Sequence, residues 1–305
     1  MKLGKGFSRR SARMGELKRN GKIINLLGLV PLVWGLFLVF MVFWALNVAL
    51  SDPAWYLDNA NAVVTQKFTL QNFVEVASKF KMQVSDAVLG IRYVEYGEMI
   101  WNTLVWCVCT CVVNDTASIL FSYAVARFNF PGRKFFYAFV ILQLMIPTYG
   151  VTAANYSLLA KLNMIDNMTF YLALGAGHGM EFLIRYNFFR NISREYDEAA
   201  KIDGAGPFRI FWNVIFPTAR PITMAFLITG FIGAWNNYSD VLLYQKSHPT
   251  LSSALYTLRD QAFYLGLQTP TFFAGIFMAI VPVGLLFVIF NKQIMENMTV
   301  GGLKG

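Results

Sequence analysis

The 305-residue chain is 56% hydrophobic and 16% aromatic with only 14% charged residues, and its mean hydropathy is +0.47; a water-soluble globule of this length would lack the polar surface to cover itself. The net charge of +9 does not point to nucleic acid, because the basic residues are spread between apolar runs and not gathered into one patch. The class that remains is an integral membrane protein, with no nucleic-acid partner and the lipid bilayer as its solvent.

Residues 1–22 carry Lys2, Lys5, Arg9, Arg10, Arg13, Lys18, Arg19 and Lys22 against the single Glu16, a bias that places a basic N-terminus in the cytoplasm. A bilayer core of about 30 Å needs roughly 20 apolar residues in a helix. Six such runs are expected near Ile23–Leu50, Met99–Ala126, Phe135–Tyr156, Met168–Phe189, Ile222–Tyr244 and Phe272–Asn291. Their length and continuity argue for helices over barrel strands. The first run is longer than an ordinary signal-peptide core, so it reads as a span, residues 23–50, and not as a cleaved leader.

Residues 51–98 form a mildly acidic connection expected outside. Within it "FTLQNFVEVASKF" suits a short amphipathic helix, either a face for a substrate-binding protein or a structural element. Residues 99–291 hold the other five spans. In the second span Asp115 beside Asn114 is an ionisable group at membrane depth and a functional candidate for that reason: interhelical glue, gate or pathway residue. Cys107, Cys109 and Cys111 alternate around that helix with no His nearby, which favours small apolar packing over a metal cluster. Arg127, Arg133 and Lys134 fall inside, Lys161 and Asp166 outside, and Arg190, Arg194, Lys201, Arg209 and Arg220 inside again, so both termini are expected in the cytoplasm.

Gln143, Tyr149 and Asn155 of the third span are weaker pathway candidates. "GAGHG" at 175–179 lies inside an apolar run without a preceding strand, where small residues let helices approach closely. Glu181 and Arg185, four apart in the fourth span, are positioned to neutralise each other. The loop 190–221 contains "SREYDEAAKIDGAG": Ser193 can cap a helix, acids fill its first turn, and Gly204 or Gly206 can stop it. In the fifth span "WNNYSD" would put Asn236 and Asp240 on one helical face with Tyr244, and Trp235 and Tyr238 on the adjoining one, with Asn237 between; this suits either hydroxyl binding with a flat ring for a sugar face or an interfacial aromatic belt. No G-x-x-x-x-G-K-[ST] occurs, so the chain is not expected to bind ATP. With two His and no nucleophile constellation, an enzyme is poorly supported. A secondary transporter would call for two matching half-repeats, which are not seen.

Glu198-Ala199-Ala200, Gly204, Val214 and Phe216-Pro217 resemble, in spacing, the EAA loop of permease subunits of ATP-binding-cassette importers; Val214 and Phe216 depart from the family's Ile and Leu but stay apolar. "EAAKIDGAG", "ARFNFPGRK", "GFIGAWNNYSD" and the terminal "TVGGLKG" are similar to the carbohydrate-uptake, maltose-type branch. The resemblance implies an all-α type I importer permease with six transmembrane helices and a cytoplasmic coupling helix, in the bacterial cytoplasmic (inner) membrane. It implies three kinds of partner: a second, homologous permease, two nucleotide-binding ATPase subunits that carry the ATP and Mg, and an extracytoplasmic sugar-binding protein. Glu198 and Asp203 would then meet the ATPase through polar contacts, Ala199 and Ala200 would allow close approach, Gly204 would bend the chain, Pro217 would start its return to the membrane, and Ala205 belongs to the same coupling segment. The tail, residues 292–305, would reach the ATPase interface through Thr299, Gly301, Gly302 and Lys304; without the resemblance it reads as a frayed basic end. Asn114, Asp115, Trp235, Asn236, Asn237, Tyr238 and Asp240 would line the sugar pathway, although in maltose-type pairs the sister subunit holds most of the sugar.

Overall fold

The computed structural model describes residues 28–86, 90–146, 150–174, 179–261 and 266–300. In chain order they form α1 (Gly28–Ala49), α2 (Pro53–Asp58), α3 (Gln71–Lys79), strands β1 (Met82–Asp86) and β2 (Gly90–Val94), α4 (Tyr96–Arg127), α5 (Arg133–Met145), α6 (Thr152–Lys161), α7 (Phe170–Leu174) and α8 (Gly179–Asn191). There follow α9 (Glu195–Ile202), α10 (Pro207–Ile210), a π-helical turn (Phe211–Ile215), α11 (Phe216–Asn236), α12 (Tyr238–Tyr244), α13 (Leu251–Gln261) and α14 (Thr269–Val300). The fold is mostly helical and not all-α. β1 and β2 pair antiparallel with Met82 opposite Val94; Val84 is buried while Gln83 and Ser85 on either side of it are exposed, the period of two that specifies strands.

Three described helical stretches are long and apolar enough to cross a bilayer, Gly28–Ala49, Tyr96–Arg127 and Pro207–Asn236, and Thr269–Leu285 is a shorter apolar one. The chain divides into two compact units. In the first (Met1–Val76 with Leu267–Phe277), α1 carries exposed apolar side chains around most of its length, as suits a helix solvated by lipid. Its C-terminal end is pinned by polar contacts: the Asn72 amide donates to the Ala49 and Ser51 carbonyls at 2.8 Å each, and Thr65 N–H donates to the Asn47 side chain at 2.7 Å. Trp44 sits edge-on to Phe273.

In the second unit (Ala77–Gly266 with Met278–Gly305), α4 packs along α8 and α11. Ser118, Ser122, Ala126 and Ala219 are buried there, small side chains that let helices approach where lipid offers no hydrophobic drive. One end of α4 is held by Trp106 Nε1–H donating to the Ala234 carbonyl at 3.1 Å and by Leu251 N–H donating to Thr103 Oγ1 at 2.9 Å. Near the other end an aromatic core gathers Tyr123, Phe182, Tyr186, Phe189 and Phe211.

Two expected spans are interrupted. Residues 135–156 fall on α5 and α6, separated where Ile146 turns extended (φ −81°, ψ 118°); the following Pro147 disfavours helical backbone at that position. Residues 222–244 are divided at Asn237, whose ψ of 88° ends α11. Residues 168–189 fall on α7 and α8, with 175–178 outside the described residues. α14 continues as helix to Val300, so the expected tail 292–305 begins as an extension of the last helix; Gly301, Gly302 and Lys304 lie outside the described residues.

Candidate functional site

α9 is built as its sequence requires. Glu195, Asp197 and Glu198 fill the first turn, where carboxylates meet the positive end of the helix dipole, and Ser193 Oγ accepts from Glu195 N–H at 3.2 Å. Of the two glycines able to stop it, Gly204 does so: its φ is +74°, while Gly206 is extended and leads into Pro207. Gly204 N–H donates to the Lys201 carbonyl and Ala205 N–H to the Ala200 carbonyl, closing the last turn on a left-handed residue that side chains with a Cβ resist. Glu198, Ala199, Asp203 and Gly204 are exposed, and Ala200 and Ala205 half-buried, so α9 shows an acidic and small-residue face outward and rests its other side on the aromatic core.

What ties α9 to the spans is Arg127, the last residue of α4. Its Nη2 lies 2.8 Å from Asp197 Oδ2. Nη1 donates to the Ile192 and Phe189 carbonyls at 2.7 and 3.4 Å, and Nη2 to the Ser193 carbonyl at 3.3 Å. One guanidinium thus holds the carbonyl end of α8 and the first turn of α9, the kind of planar, multi-acceptor contact Arg is suited to. The sequence marks Arg127 only as a cytoplasmic topology residue; the signal it offers is its position at the end of a span, in "ARFNFPGRK".

Pro217 does not start the return of the chain. The break after α9 falls at Gly204 and Gly206, and Pro217 sits inside the continuous helical stretch Pro207–Asn236. A proline there cannot donate and crowds the carbonyl four residues back; the π-helical turn immediately before it, in which Phe216 N–H reaches the Phe211 carbonyl, takes up the extra residue. Phe211 and Ile215 of that turn are buried in the aromatic core, with Tyr123 4.7 Å from Phe211.

Midway along α4, Asp115 forms an ion pair with Arg185 of α8. Glu181 is a second, more distant partner at 3.7 Å, so Arg185 is not mainly neutralised within its own helix. Arg185 is fully buried and Asp115 nearly so, and the guanidinium lies 4.6 Å from the Phe226 ring centroid on α11. Three helices are cross-linked by one charge cluster. Asn114 beside it is half-buried.

The residues of "WNNYSD" are not on one continuous helix. Asn236, at the end of α11, turns its amide back to the Ile232 carbonyl at 2.8 Å. Asn237 caps α12, accepting from Asp240 N–H at 3.1 Å and donating to Asp240 Oδ2 at 2.7 Å. Trp235 is buried and Tyr238 stacks on Tyr256 at 4.5 Å. Asp240 and Tyr244, however, face a cavity of about 550 Å³ together with Asn155 of α6; its other walls are mainly Leu, Met and Phe side chains. Tyr244 stacks on Phe170 at 5.1 Å. A flat ring beside a carboxylate and an amide is the chemistry a polyhydroxylated solute needs. Gln143 is exposed and does not line this cavity, and Tyr149 lies outside the described residues. Cys107 and Cys111 are buried, and Gly230 of α11 comes close enough that a Cβ there would stand 3.7 Å from Cys111 Sγ. Among the described residues no group of three or more His, Cys, Asp and Glu is placed to hold a metal ion.

Residues 118–298 match the family of binding-protein-dependent transport system inner membrane components. The chain is similar to the maltodextrin transport system permease protein MalD of Streptococcus pneumoniae, 31% identical over 214 residues, covering 69% of this chain and 76% of that protein. It is similar also to the sn-glycerol-3-phosphate transport system permease protein UgpE of Yersinia enterocolitica, 35% identical over 153 residues, covering 50% of this chain and 54% of that protein. A chain in the crystal structure of a bacterial ABC transporter that imports the acidic polysaccharide alginate shares the fold with a TM-score of 0.72 at 19% identity, covering 90% of this chain and 97% of that one. The chain therefore belongs to the binding-protein-dependent transport system inner membrane component family, the permease subunits of ATP-binding-cassette importers.

Proposed function

We propose that this inner-membrane permease is one of two paired, homologous subunits forming the pathway of an ATP-driven importer for a carbohydrate, most simply an oligosaccharide. Six spans carry it, with both termini in the cytoplasm; the pairs α5–α6, α7–α8 and α11–α12 each make one interrupted span. An extracytoplasmic binding protein delivers the sugar. Two ATPase subunits hold the ATP and Mg, and this chain binds no cofactor and catalyses no reaction. α9 is the coupling helix: Glu198 and Asp203 meet the ATPase, Ala199 lets it approach, and the tail beyond Val300, with Gly301, Gly302 and Lys304, extends towards the same subunit. The names of the maltodextrin relative and of the alginate importer support the substrate class; the glycerol-phosphate relative keeps a smaller polar solute as the second reading.

The single observation that carries the mechanism is the Arg127 contact. ATPase closure that displaces α9 must also displace α4 and α8, because Asp197, the α8 carbonyls and Arg127 form one hydrogen-bonded joint. The solute site is the cavity of Asn155, Asp240 and Tyr244, whose wall residue Phe170 stacks on Trp106 of α4, 21 positions from Arg127 along that helix. The test is uptake of labelled maltodextrins by the complex reconstituted with its ATPase, sister permease and binding protein. Glu198→Lys is expected to leave the membrane subunits assembled while lowering sugar-dependent ATP hydrolysis and uptake by at least tenfold. Uptake by the purified chain alone, driven by a proton or sodium gradient, would overturn the proposal.

A further inference from the structure

Next to the Arg127 joint lies a cavity of about 540 Å³ whose lining includes Arg127, Arg133, Lys134, Arg190 and Arg194. Five cations around one space of ligand size ask for a counter-charge. Arg127 has Asp197 and Arg133 donates to the neutral side chain of Asn129 at 2.8 Å. Among the described residues no carboxylate lies within ion-pair distance of Arg133, Lys134, Arg190 or Arg194. Arg127 Nε is buried without a hydrogen-bond partner, and Arg127 itself is 8% exposed.

The placement of these cations is informative. Arg190 follows the usual rule, lying in the last turn of α8, where the dipole favours positive charge. Arg133 and Lys134 are instead the first two residues of α5, and Arg194 is the N-cap of α9. At the start of α5, whose first turn holds no acid, the backbone N–H groups already make the helix end positive, whereas the first turn of α9 carries its own carboxylates. Four cations for which no carboxylate partner is found among the described residues converge on one cavity with the start of α5, and together they select an anion. The walls supply more than charge: the rings of Tyr137 and Tyr186 stand 4.7 Å apart and both line it, leaving hydroxyls to donate beside the guanidinium forks that match phosphate oxygens.

We infer that this cavity is a binding site for a phosphate-bearing anion, supplied either by the headgroup of an anionic phospholipid or by a soluble phosphate compound. On the proposed topology, on which the lipid source rests, the site opens at the inner headgroup level, where basic pockets between spans take up phosphate headgroups. Because Arg194 begins α9 and Arg127 anchors it, an anion here links α5 and α8 to the start of the coupling helix. Its occupancy then tunes how stiffly that helix follows its partner.

The assembled transporter in phosphatidylcholine nanodiscs, with and without phosphatidylglycerol and with and without inorganic phosphate, tests this. Readouts are lipid retained through a detergent wash, measured by mass spectrometry, and the thermal transition of the complex. Wild type is expected to retain phosphatidylglycerol at least about tenfold better than the triple variant Lys134→Gln/Arg190→Gln/Arg194→Gln, given the attraction each basic side chain exerts near a headgroup. The three are exposed, and an unchanged thermal transition in phosphatidylcholine alone shows that the variant is folded. If inorganic phosphate raises the wild-type transition and phosphatidylglycerol does not, the soluble source is the right one. Equal retention and equal shifts in wild type and variant overturn the inference. So does protection of Arg190 and Arg194 from phenylglyoxal that requires a partner subunit but neither anion, since an acidic protein surface would then fill the cavity. Retention is independent of transport, so ATP-driven uptake without anion binding sinks this inference alone, and anion binding without ATP-driven uptake sinks the proposed function alone.

Discussion

α4 carries an ion pair at two levels, Asp115 and Arg127, twelve residues or about 18 Å apart along the helix, and the two are built differently. At the end of the helix Arg127 has one carboxylate and three backbone carbonyls around it. In the middle, among the described residues, Arg185 has the carboxylates of Asp115 and Glu181 and the face of Phe226 but no backbone carbonyl. The first arrangement is a joint between consecutive segments, tied to backbone that moves with α8 and α9. The second is a plug of opposite charges between helices, in which each group depends almost wholly on the other. A charge with many acceptors tolerates loss of one; a charge with a single close partner does not.

The largest effect should therefore come from dividing the central pair. Arg185→Gln leaves the Asp115 carboxylate buried without its cation, and breaking such a pair costs about 3–5 kcal/mol. The variant should lose most of its monodisperse protein in detergent size-exclusion chromatography. The double variant Asp115→Asn/Arg185→Gln, which removes both charges, should recover much of it. If single and double variants behave alike, the two residues do not act as a unit and the contrast with Arg127 fails.

At the joint the effect should be smaller on folding and larger on coupling. Arg127→Lys keeps the charge but offers a single compact ammonium to acceptors placed for a planar fork. Loss of one or two charge-assisted hydrogen bonds amounts to about 2–3 kcal/mol. ATP hydrolysis in the reconstituted complex should persist while uptake per ATP falls severalfold. Uptake per ATP at the wild-type level would mean that Arg127 merely seals the end of α8.

Neither level could be paired from the sequence alone. Glu181 and Arg185 were visible as neighbours because i and i+4 share a helical face, but Asp115 stands 70 positions earlier, and Asp197 70 positions after Arg127; such partners are fixed by helix packing, which no local pattern encodes. The apolar runs were legible because a bilayer demands length and apolarity before anything else. Hydropathy, however, averages over a break. It joined α5 to α6 across Pro147 and α11 to α12 across Asn237, and so put Asn236 and Asp240 on one face when the structure turns them apart. The hairpin of β1 and β2 escaped for a different reason: five-residue strands carry too few alternations to stand out from a polar loop.

α9, by contrast, was legible in outline because its ends are written in local chemistry, although the sequence left its stop open between Gly204 and Gly206 and the N-cap falls on Arg194, not Ser193; its stop gives the smallest and cleanest test. Gly204 has a φ of +74°, and a Cβ built there would meet no atom within 4 Å. Gly204→Ala therefore changes no contact and costs only the left-handed backbone penalty, about 1–2 kcal/mol. The chain can escape that penalty by running α9 one residue further, which would rotate Ala205 out of its half-buried seat against the core. Folded yield should stay near wild type, while uptake per ATP should fall, though less than in Arg127→Lys. The order matters more than the size: if Gly204→Ala proves more damaging to coupling than Arg127→Lys, the bend and not the guanidinium transmits the motion, and the joint proposed for α4 would have to be moved to the turn between α9 and α10.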